Sequence, residues 1–287
     1  MTASPTFDRK TALVFGGAKG IGECVVREWA RRGSRVAIAD IDGVAAQAIA
    51  AGIRADGGEA IGLRADVLSS DSIAAAIAAS GAEFGPVEIL MNNVGGMLNG
   101  HPEDVPLREW QRMMELNYFA AVRAIEQVLP GMLTAGRGHI VCTASFAGLY
   151  PYAASRVPYA AAKAAVISLA QNLAVYGEPK GVRVSCLIPG PVMTGVLDTM
   201  TSWTPDCPMR GPGSDTTLML PEDVARVLAD GMEAGRILIP SDDAAFEIVR
   251  RWAANPDAFI RAKIGEFAGG DSGRPSVPDA LRAPLGR

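Results

Sequence analysis

Short apolar segments alternate with longer, alanine-rich amphipathic segments along most of this 287-residue chain. Residues 11–15 and 35–39 are short and apolar, as in buried strands, whereas residues 43–55 have the spacing of a helix. Strands that alternate with helices of this length predict βαβ units, which build a parallel sheet with right-handed crossovers. We therefore expect an α/β protein with helices on both faces of one sheet.

The alternation extends to about residue 240. The other predicted strands are 60–63, 87–91, 138–143, 182–188 and 236–239. The other predicted helices are 21–32, 71–84, 107–133 with an interruption at Pro130, 159–176, and one that begins at Pro221. No internal repeat is present, so we expect a single domain over residues 1–287, with its core at about 10–240.

Two segments near the C-terminus depart from this pattern. Residues 194–220 are rich in Pro, Gly, Thr, Ser and Met, which predicts a long loop or a lid over a substrate. Residues 241–287 form an extension, in which 242–267 has helical periodicity interrupted near Pro256. From residue 268 onward, Gly, Pro and Arg predict a loose tail.

Composition excludes several classes of function. The net charge of −4 argues against a nucleic-acid partner. No run of eighteen apolar residues exists, and the first ten residues have no apolar core, so we expect a cytoplasmic protein without a membrane segment or secretory signal. The four cysteines form no C-x-x-C, and His101 and His139 are the only histidines. We therefore predict neither a metal site nor a Ser-His-Asp triad.

A glycine-rich turn follows the first predicted strand. Gly16, Gly20 and Gly22 let the backbone N–H groups approach a pyrophosphate at the start of the next helix. Asp40 ends the second strand, where a carboxylate would bind the adenosine ribose and repel a 2′-phosphate. These residues predict NAD as the cofactor. Lys19, a basic residue in the turn, argues for NADP instead, but we give Asp40 more weight.

Tyr159 and Lys163 lie four residues apart on one predicted helix, and therefore on one face. The lysine ammonium should favour the phenolate and lower the pKa of Tyr159, which would suit the phenol to acid/base work. Ser145 ends the preceding strand, at the edge where open α/β sheets hold their ligands. We expect Ser145 and Tyr159 to face one crevice.

These motifs together resemble the short-chain dehydrogenase/reductase family over roughly residues 10–238. The glycine turn matches that family's T-G-x-x-x-G-x-G motif, with Phe15 in place of the threonine. The other matches are Asp66-Val67 beside the adenine, Asn92-Asn93-Val94-Gly95 for N-N-A-G, Asn117 for the helix asparagine, Ser145 for the catalytic serine, Tyr159 and Lys163 for Y-x-x-x-K, and Pro189 to Thr194 for P-G-x-x-x-T.

The resemblance implies a Rossmann-type doubly wound parallel sheet and an oxidoreductase that interconverts a secondary alcohol and a ketone. It implies that Tyr159 exchanges the proton, Ser145 binds the substrate oxygen, Lys163 holds the nicotinamide ribose, and Asn117 anchors a water that links Lys163 to solvent. The nicotinamide carries the hydride. The implied cofactor contacts are Gly16, Lys19, Gly20, Ile21, Gly22, Asp40, Ile41, Asp66, Val67, Asn93, Tyr159, Lys163, Pro189, Gly190, Val192 and Thr194.

The C-terminus departs from the family, since residues 236–243 replace the Val-Asp-Gly-Gly segment that packs a tetramer interface in many members. A homodimer through the helices of Asn117 and Tyr159 is expected, and a homotetramer stays an alternative. An NADPH-dependent carbonyl reductase is a second possible function. A third, from another class, is a cofactor-binding scaffold or sensor without turnover.

The substrate pocket is expected near residues 97–98, 145–159 and 194–220. Their Met, Leu and aromatic side chains predict an apolar or aromatic substrate, although several of these side chains would equally well pack the lid onto the sheet. Arg156 and Arg210 would suit an acidic group, but we expect both to be solvated.

Overall fold

The computed structural model describes residues 6–195 and 200–282, without the side chain of Arg282. Residues 196–199 of the predicted lid, and both ends of the predicted domain, lie outside the described residues. The strands in the described part are β1 (Thr11–Phe15), β2 (Arg35–Asp40), β3 (Ala60–Arg64), β4 (Ile89–Asn92), β5 (Leu98–Asn99), β6 (Gly138–Thr143), β7 (Val182–Ile188), β8 (Thr201–Ser202) and β9 (Leu238–Pro240). The α-helices there are α1 (Gly20–Arg31), α2 (Gly43–Ala55), α3 (Ser70–Phe84), α4 (Leu107–Met114), α5 (Ala120–Ala135), α6 (Val157–Gly177), α7 (Pro221–Glu233), α8 (Ala244–Ala254), α9 (Pro256–Ala268) and α10 (Asp279–Arg282).

Seven parallel strands form one sheet in the order β3-β2-β1-β4-β6-β7-β9. The chain runs outward from β1 in one direction and then crosses back to β4 on the other side of β1. This reversal makes the sheet doubly wound, so the predicted Rossmann-type α/β fold is confirmed. Ligands of such sheets bind beyond the carboxyl ends of the strands at the reversal, which here lies between Phe15 and Asn92.

Helices cover both faces of the sheet. Its strands therefore need apolar side chains on both sides and appear in the sequence as continuous apolar segments. All five residues of β1 are buried. Leu13 and Phe15 pack into one hydrophobic cluster, whereas Ala12 and Val14 pack into the other. This alternation follows the two-residue period of a strand and places helices α1, α2 and α7 opposite α3, α5 and α6.

The helix predicted over 107–133 is helical throughout but not α-helical throughout, and its predicted interruption at Pro130 is wrong. Between α4 and α5 the backbone forms a π-helical turn over Glu115–Phe119, and α5 continues through Pro130 to Ala135. Asn117 lies in this turn, and its Nδ2 donates to the carbonyl of Met113 at 3.0 Å. Isolated π turns are frequent at functional sites, because they place one side chain where an α-helix would not.

The segment after residue 268 is held by hydrogen bonds, so the prediction of a loose tail is wrong for its described part. The amides of Gly211 and Gly213 donate to the carbonyls of Ser272 and Gly273, both at 2.8 Å. The amide of Ser276 donates to Thr216 at 2.8 Å. The tail therefore lies along the lid. The prediction of a loose tail rested in part on its glycines. Because glycine has no side chain, it instead allows the tail to approach the lid closely.

The lid itself is anchored at two other points. β8 pairs in parallel with β5, and Val192 forms a bridge with Met219. The predicted interruption near Pro256 is confirmed, since α8 ends at Ala254 and the side chain of Asn255 caps α9 by accepting from the amide of Ala258 at 3.0 Å. No helix in the described ranges is long and apolar enough to cross a membrane.

Candidate active site

The glycine turn between β1 and α1 leaves no room for side chains. A Cβ on Gly22 would lie 1.9 Å from the carbonyl oxygen of Gly16. Gly16 has φ of +77°, and a Cβ there would lie 2.9 Å from Val94. The chain therefore folds back tightly just before the N-terminus of α1, where the first helical amides lack intrahelical partners. This cradle fits the pyrophosphate of a dinucleotide.

Asn93 connects the glycine turn to the middle of the sheet. Its Nδ2 donates to the carbonyl of Gly16 at 2.9 Å, and its Oδ1 accepts from the hydroxyl of Thr143 at 3.1 Å. The predicted cofactor residue Asn93 thus holds the turn and the end of β6 in a fixed relation. Thr143 was not among the predicted site residues, although its position two residues before Ser145 on the same strand was a usable signal.

Asp40 is buried at the end of β2, with 7% of its surface exposed. Its two carboxylate oxygens accept hydrogen bonds from the amides of Ala18 at 3.0 Å and Asp42 at 3.1 Å. The carboxylate therefore helps to shape the glycine turn as well as facing the expected ribose position. Ile41 and Lys19 are exposed beside it.

Asp66 and Val67 follow β3 at the neighbouring strand end. Val67 is buried, whereas Asp66 is exposed, and its Oδ1 accepts from the amide of Leu68 at 2.9 Å. Because β3 lies beside β2 in the sheet, this turn lies next to Asp40, where the adenine end of a dinucleotide would extend.

Ser145 and Tyr159 are brought together from two elements. Ser145 follows β6 and caps a short 3₁₀ turn, its hydroxyl accepting from the amide of Ala147 at 3.2 Å. Tyr159 lies in the first turn of α6, and Ser145 is close enough to act on the pKa of its phenol. The two side chains therefore lie near each other, as expected.

Lys163 lies one turn further along α6 and is only 3% exposed. Its Nζ donates to the carbonyl of Thr143 at 2.8 Å and lies 5.8 Å from the centre of the Tyr159 ring. Burial lowers the pKa of Lys163 from 10.5 to about 8. An ammonium in this position can direct its other N–H groups at a ribose hydroxyl or at the phenol.

The predicted lowering of the Tyr159 pKa is not what the structure shows. Burial raises the pKa of the phenol, and the hydrogen bond from Ser145 and the charge of Arg156 oppose that rise only in part. Lys163 is itself desolvated and is bound to a carbonyl, so its charge does not outweigh burial.

Asn117 lies close to Lys163 because a glycine separates them. A Cβ on Gly95 would lie 2.7 Å from Oδ1 of Asn117 and 3.1 Å from Nζ of Lys163. The amide of Gly96 donates to Asn117 at 3.2 Å. Gly95 is thus a site residue that the sequence reading matched to a motif without assigning it a role.

The segment after β7 closes the other side of the crevice. The amide of Phe146 donates to the carbonyl of Pro189 at 2.9 Å, and the amide of Gly190 donates to the hydroxyl of Ser241 at 2.9 Å. A Cβ on Gly20 would lie 3.5 Å from the side chain of Thr194, so this segment faces the glycine turn. Val192 is partly buried just before it.

Arg156 is buried, with 8% of its surface exposed, so the prediction of a solvated side chain is wrong for this residue. Its guanidinium lies 5.6 Å from the centre of the Tyr152 ring. Arg210 is partly buried and donates to the carbonyls of Asp271 and Phe267, so it connects the lid to the tail. No signal in the sequence distinguished Arg156 from a surface arginine.

Several residues predicted for the pocket wall are instead part of the core. Leu98 and Phe146 are fully buried, and Tyr150 is 3% exposed. Met97 and Tyr152 are also buried but contact Arg156. No group of three or more His, Cys, Asp or Glu side chains in the described residues is placed to hold a metal ion.

Known proteins are similar to this chain in sequence and in architecture. A sequence model of the short chain dehydrogenase family matches residues 10–205. The chain is 31% identical over 242 residues to the 2,5-dichloro-2,5-cyclohexadiene-1,4-diol dehydrogenase LinX of Sphingobium indicum, covering 83% of this chain and 91% of that one. It is 32% identical over 238 residues to a D-threitol dehydrogenase of Mycolicibacterium smegmatis, covering 83% and 88%.

A crystal structure of a short chain dehydrogenase/reductase from Burkholderia phymatum in complex with NAD superposes with a TM-score of 0.77 at 27% identity, covering 88% of this chain and 96% of that one. A 3-alpha-(or 20-beta)-hydroxysteroid dehydrogenase of Mycobacterium tuberculosis is 36% identical over 197 residues, covering 69% of this chain and 73% of that protein. The family match spans more than half of the chain, and the relatives and the fold agree with it. The chain therefore belongs to the short-chain dehydrogenase/reductase family of oxidoreductases.

Proposed function

We propose that this protein is an NAD-dependent dehydrogenase that oxidises a secondary alcohol to a ketone, or runs the reverse reaction, with Tyr159 as the acid/base. The observation that carries this proposal is the placement of the buried Lys163 ammonium 5.8 Å from the centre of the Tyr159 ring, with Ser145 beside the phenol. All three lie at the carboxyl edge of the sheet, where the glycine turn also opens.

The residues around the turn suit a dinucleotide. The crowded glycines Gly16 and Gly22 provide a cradle for the pyrophosphate, and the buried carboxylate of Asp40 favours a ribose diol over a 2′-phosphate. Nicotinamide would supply the hydride acceptor or donor when bound. NAD is therefore proposed over NADP, and the NAD complex of the Burkholderia phymatum relative agrees with this choice.

Each side chain has one role in the proposed reaction. Tyr159 accepts the alcohol proton during oxidation and returns it during reduction. Ser145 donates a hydrogen bond to the substrate oxygen and so holds it beside the phenol. Lys163 binds the nicotinamide ribose and passes protons towards solvent through a water that Asn117 would anchor. Because Tyr159 must lose its proton before it can accept another, oxidation should accelerate as pH rises and reduction should slow.

The substrate is proposed to have an apolar or cyclic body. Met97 and Tyr152 provide apolar surface near Tyr159, and Trp203 provides more from the lid. Two of the relatives are named for cyclic alcohols, a dichlorocyclohexadienediol and a hydroxysteroid.

The test is the change in nicotinamide absorbance with cyclic and aryl secondary alcohols, with NAD and NADP supplied separately. Replacing Tyr159 with Phe should reduce kcat about a hundred- to ten-thousand-fold while leaving NAD binding intact, because only the proton carrier is removed. Tyr176→Phe is the matched control, since Tyr176 lies on the same helix and is 52% exposed.

Turnover with NAD that Tyr159→Phe abolishes and Tyr176→Phe spares would support the proposal. Near-native rates in Tyr159→Phe would show that another group carries the proton. If neither cofactor gives turnover but NAD still binds in a calorimetric titration, a cofactor-binding scaffold is the better interpretation.

A further inference from the structure

The described part of the chain buries three side chains that are charged at neutral pH. Asp40 is 7% exposed, Lys163 is 3% exposed and Arg156 is 8% exposed. The proposed reaction gives Asp40 and Lys163 their roles at the cofactor. Arg156 is left without one, although it lies one helical turn before Tyr159.

A buried guanidinium without a carboxylate partner is costly, because burial removes the hydration of the charge and nothing replaces it. Another arginine with little solvent exposure avoids this cost because carboxylates surround it. Arg32, whose side chain is 15% exposed, pairs with Glu28 at 2.7 Å, Asp230 at 2.6 Å and Glu233 at 2.9 Å. Arg156 forms no ion pair with any acidic residue of the described ranges.

The contacts of Arg156 leave part of the guanidinium free. Nη2 donates to the carbonyl of Arg210 in the lid, and Nη1 contacts the sulfur of Met97 at 3.7 Å. Nε is buried and has no hydrogen-bond partner in the described structure. The group also lies over the ring of Tyr152. The guanidinium is therefore held by the lid and by the walls of the expected pocket. In the described structure its Nε donor has no acceptor and its charge has no carboxylate partner.

We propose that Arg156 binds a carboxylate of the substrate, so that the protein acts on a hydroxy acid or its keto acid with an apolar body. This inference rests on the proposed function, because it assigns the substrate of the same site. Arg156 would be a residue that determines specificity.

A carboxylate fits this position better than other anions. The guanidinium supplies one positive charge, which a singly charged carboxylate neutralises, and its planar N–H groups match two carboxylate oxygens. Arg156 is the N-cap residue of α6 and Tyr159 lies in the first turn of that helix, so an anion at Arg156 and an alcohol at Tyr159 belong to one small molecule. The charge of Arg156 also lowers the pKa of Tyr159, which places the two groups within electrostatic reach.

The test compares an anionic probe with a neutral probe of the same shape. Cyclohexanecarboxylate and cyclohexanecarboxamide are titrated calorimetrically into the full-length protein in saturating NAD. The unchanged protein should bind the carboxylate at least about tenfold more tightly than the amide, since hydrogen bonds to a charged group are stronger. Arg156→Met should remove this preference, and Arg156→Lys should keep only part of it, because the charge remains but the planar pair of N–H donors is lost.

A control is needed because Arg156 also contacts the lid. Arg210→Met removes the side-chain bonds from Arg210 to the tail but keeps the Arg210 carbonyl and the guanidinium of Arg156. It loosens the lid without removing the buried charge, so it should keep the preference for the carboxylate. The thermal midpoint of each variant shows that the fold is retained.

Equal affinity for the two probes in the unchanged protein, including binding of neither up to about 10 mM, would overturn the inference. A preference that persists in Arg156→Met would overturn it as well. Because the readout is binding and not turnover, a carboxylate that binds through Arg156 in a protein with no dehydrogenase activity would refute the proposed function alone.

Discussion

At the scale of single residues, the carboxylate of Asp40 has two roles: it shapes the backbone, and we propose that it selects NAD over NADP. Its oxygens accept hydrogen bonds from the amides of Ala18 and Asp42, and its charge is buried. Replacing it with Ala would remove both acceptors and leave two backbone donors without partners. Asn keeps the shape and one acceptor oxygen while removing the charge, so it is the informative change.

Asp40→Asn should shift cofactor preference towards NADP. Without the negative charge, the repulsion of a 2′-phosphate disappears, and the ratio of kcat/KM for NAD to that for NADP should fall at least about tenfold. Steady-state kinetics with both cofactors measure this ratio. The matched control is Asp42→Asn on the exposed side of the same turn, which should leave it nearly unchanged. An unaltered ratio in Asp40→Asn would mean that Asp40 does not select the cofactor.

His139 is a buried histidine that stays neutral. Ser185 gives its hydroxyl proton to the carbonyl of Arg236 at 2.8 Å, so the contact of 2.9 Å between Ser185 and Nε2 requires the ring to donate. Nδ1 is then a bare nitrogen without a partner in the described structure. Burial, with a smaller contribution from the charge of Arg183, lowers the pKa of His139 from 6.5 to about 3.

This depressed pKa predicts a loss of stability in acid. Between pH 6.5 and about 3 the unfolded chain binds a proton at His139 that the folded protein does not, so the free energy of unfolding decreases as pH falls through this range. The slope from this residue approaches about 1.4 kcal/mol per pH unit. His139→Gln should therefore show a shallower decrease between pH 6 and pH 5 in urea unfolding.

His101→Gln is the matched control, because the His101 side chain is 49% exposed. Its unfolding curves provide the comparison for the loss of a surface histidine. Identical slopes for His139→Gln and the unchanged protein would show that His139 is not held neutral by the fold.

At the scale of elements, the lid and the tail form one unit. The amides of Gly211, Gly213 and Leu218 donate to the carbonyls of tail residues 272–276, and Arg210 adds side-chain bonds. The lid also holds Arg156 through the carbonyl of Arg210. Contacts in the tail should therefore affect how the substrate binds.

Gly273→Val tests this coupling. Gly273 has φ of +60°, and a Cβ there would lie 2.5 Å from the carbonyl oxygen of Gly211, so Val should push the tail off the lid. Hydrogen exchange at the amides of residues 211–218 should accelerate, and KM for the alcohol should rise while the Kd for NAD stays constant. Gly270→Val is the control, since Gly270 has φ of +87° but open space around its Cβ. Equal exchange in the two variants would argue against the coupling.

At the scale of the whole molecule, helices α5 and α6 leave apolar side chains in solvent. On α6, Val175 is 78% exposed and Tyr176 is 52% exposed, and Phe119 in the π turn just before α5 is 41% exposed. Large exposed apolar side chains are found at interaction sites of folded proteins. We propose that these helices form the interface of a homodimer, as the sequence led us to expect.

Ala164→Arg should convert the dimer into a monomer, because Ala164 is exposed on α6 and a long charged side chain would separate the two helical faces. Sedimentation velocity measures the mass. Ala48→Arg is the control, since Ala48 is exposed on α2, which covers the opposite face of the sheet. A monomeric unchanged protein, or equal dissociation in both variants, would contradict the proposed interface.

Local pattern was sufficient for most of the architecture. The two-residue period of the strands, the 3.6-residue period of the helices and the glycines at turns depend on neighbours in the chain, and they placed β1, α2, β6 and β7 at their observed bounds. The i, i+4 spacing of Tyr159 and Lys163 likewise required no tertiary information. Between α4 and α5, however, Asn117 in the π turn donates to the carbonyl of Gly96, a contact between distant residues that periodicity does not contain.

The sequence by itself determined the order of strands and helices, the glycine cradle, the acid at the end of β2 and the residues of the Ser145, Tyr159 and Lys163 group. Only the tertiary structure decided which charges are buried, and therefore that Arg156 lies without a counter-charge among the described residues and that the pKa of Tyr159 is raised. It also decided that the tail is bound along the lid. The physical reason is that desolvation and long-range contacts depend on residues far apart in the chain, whereas secondary structure depends on residues close together.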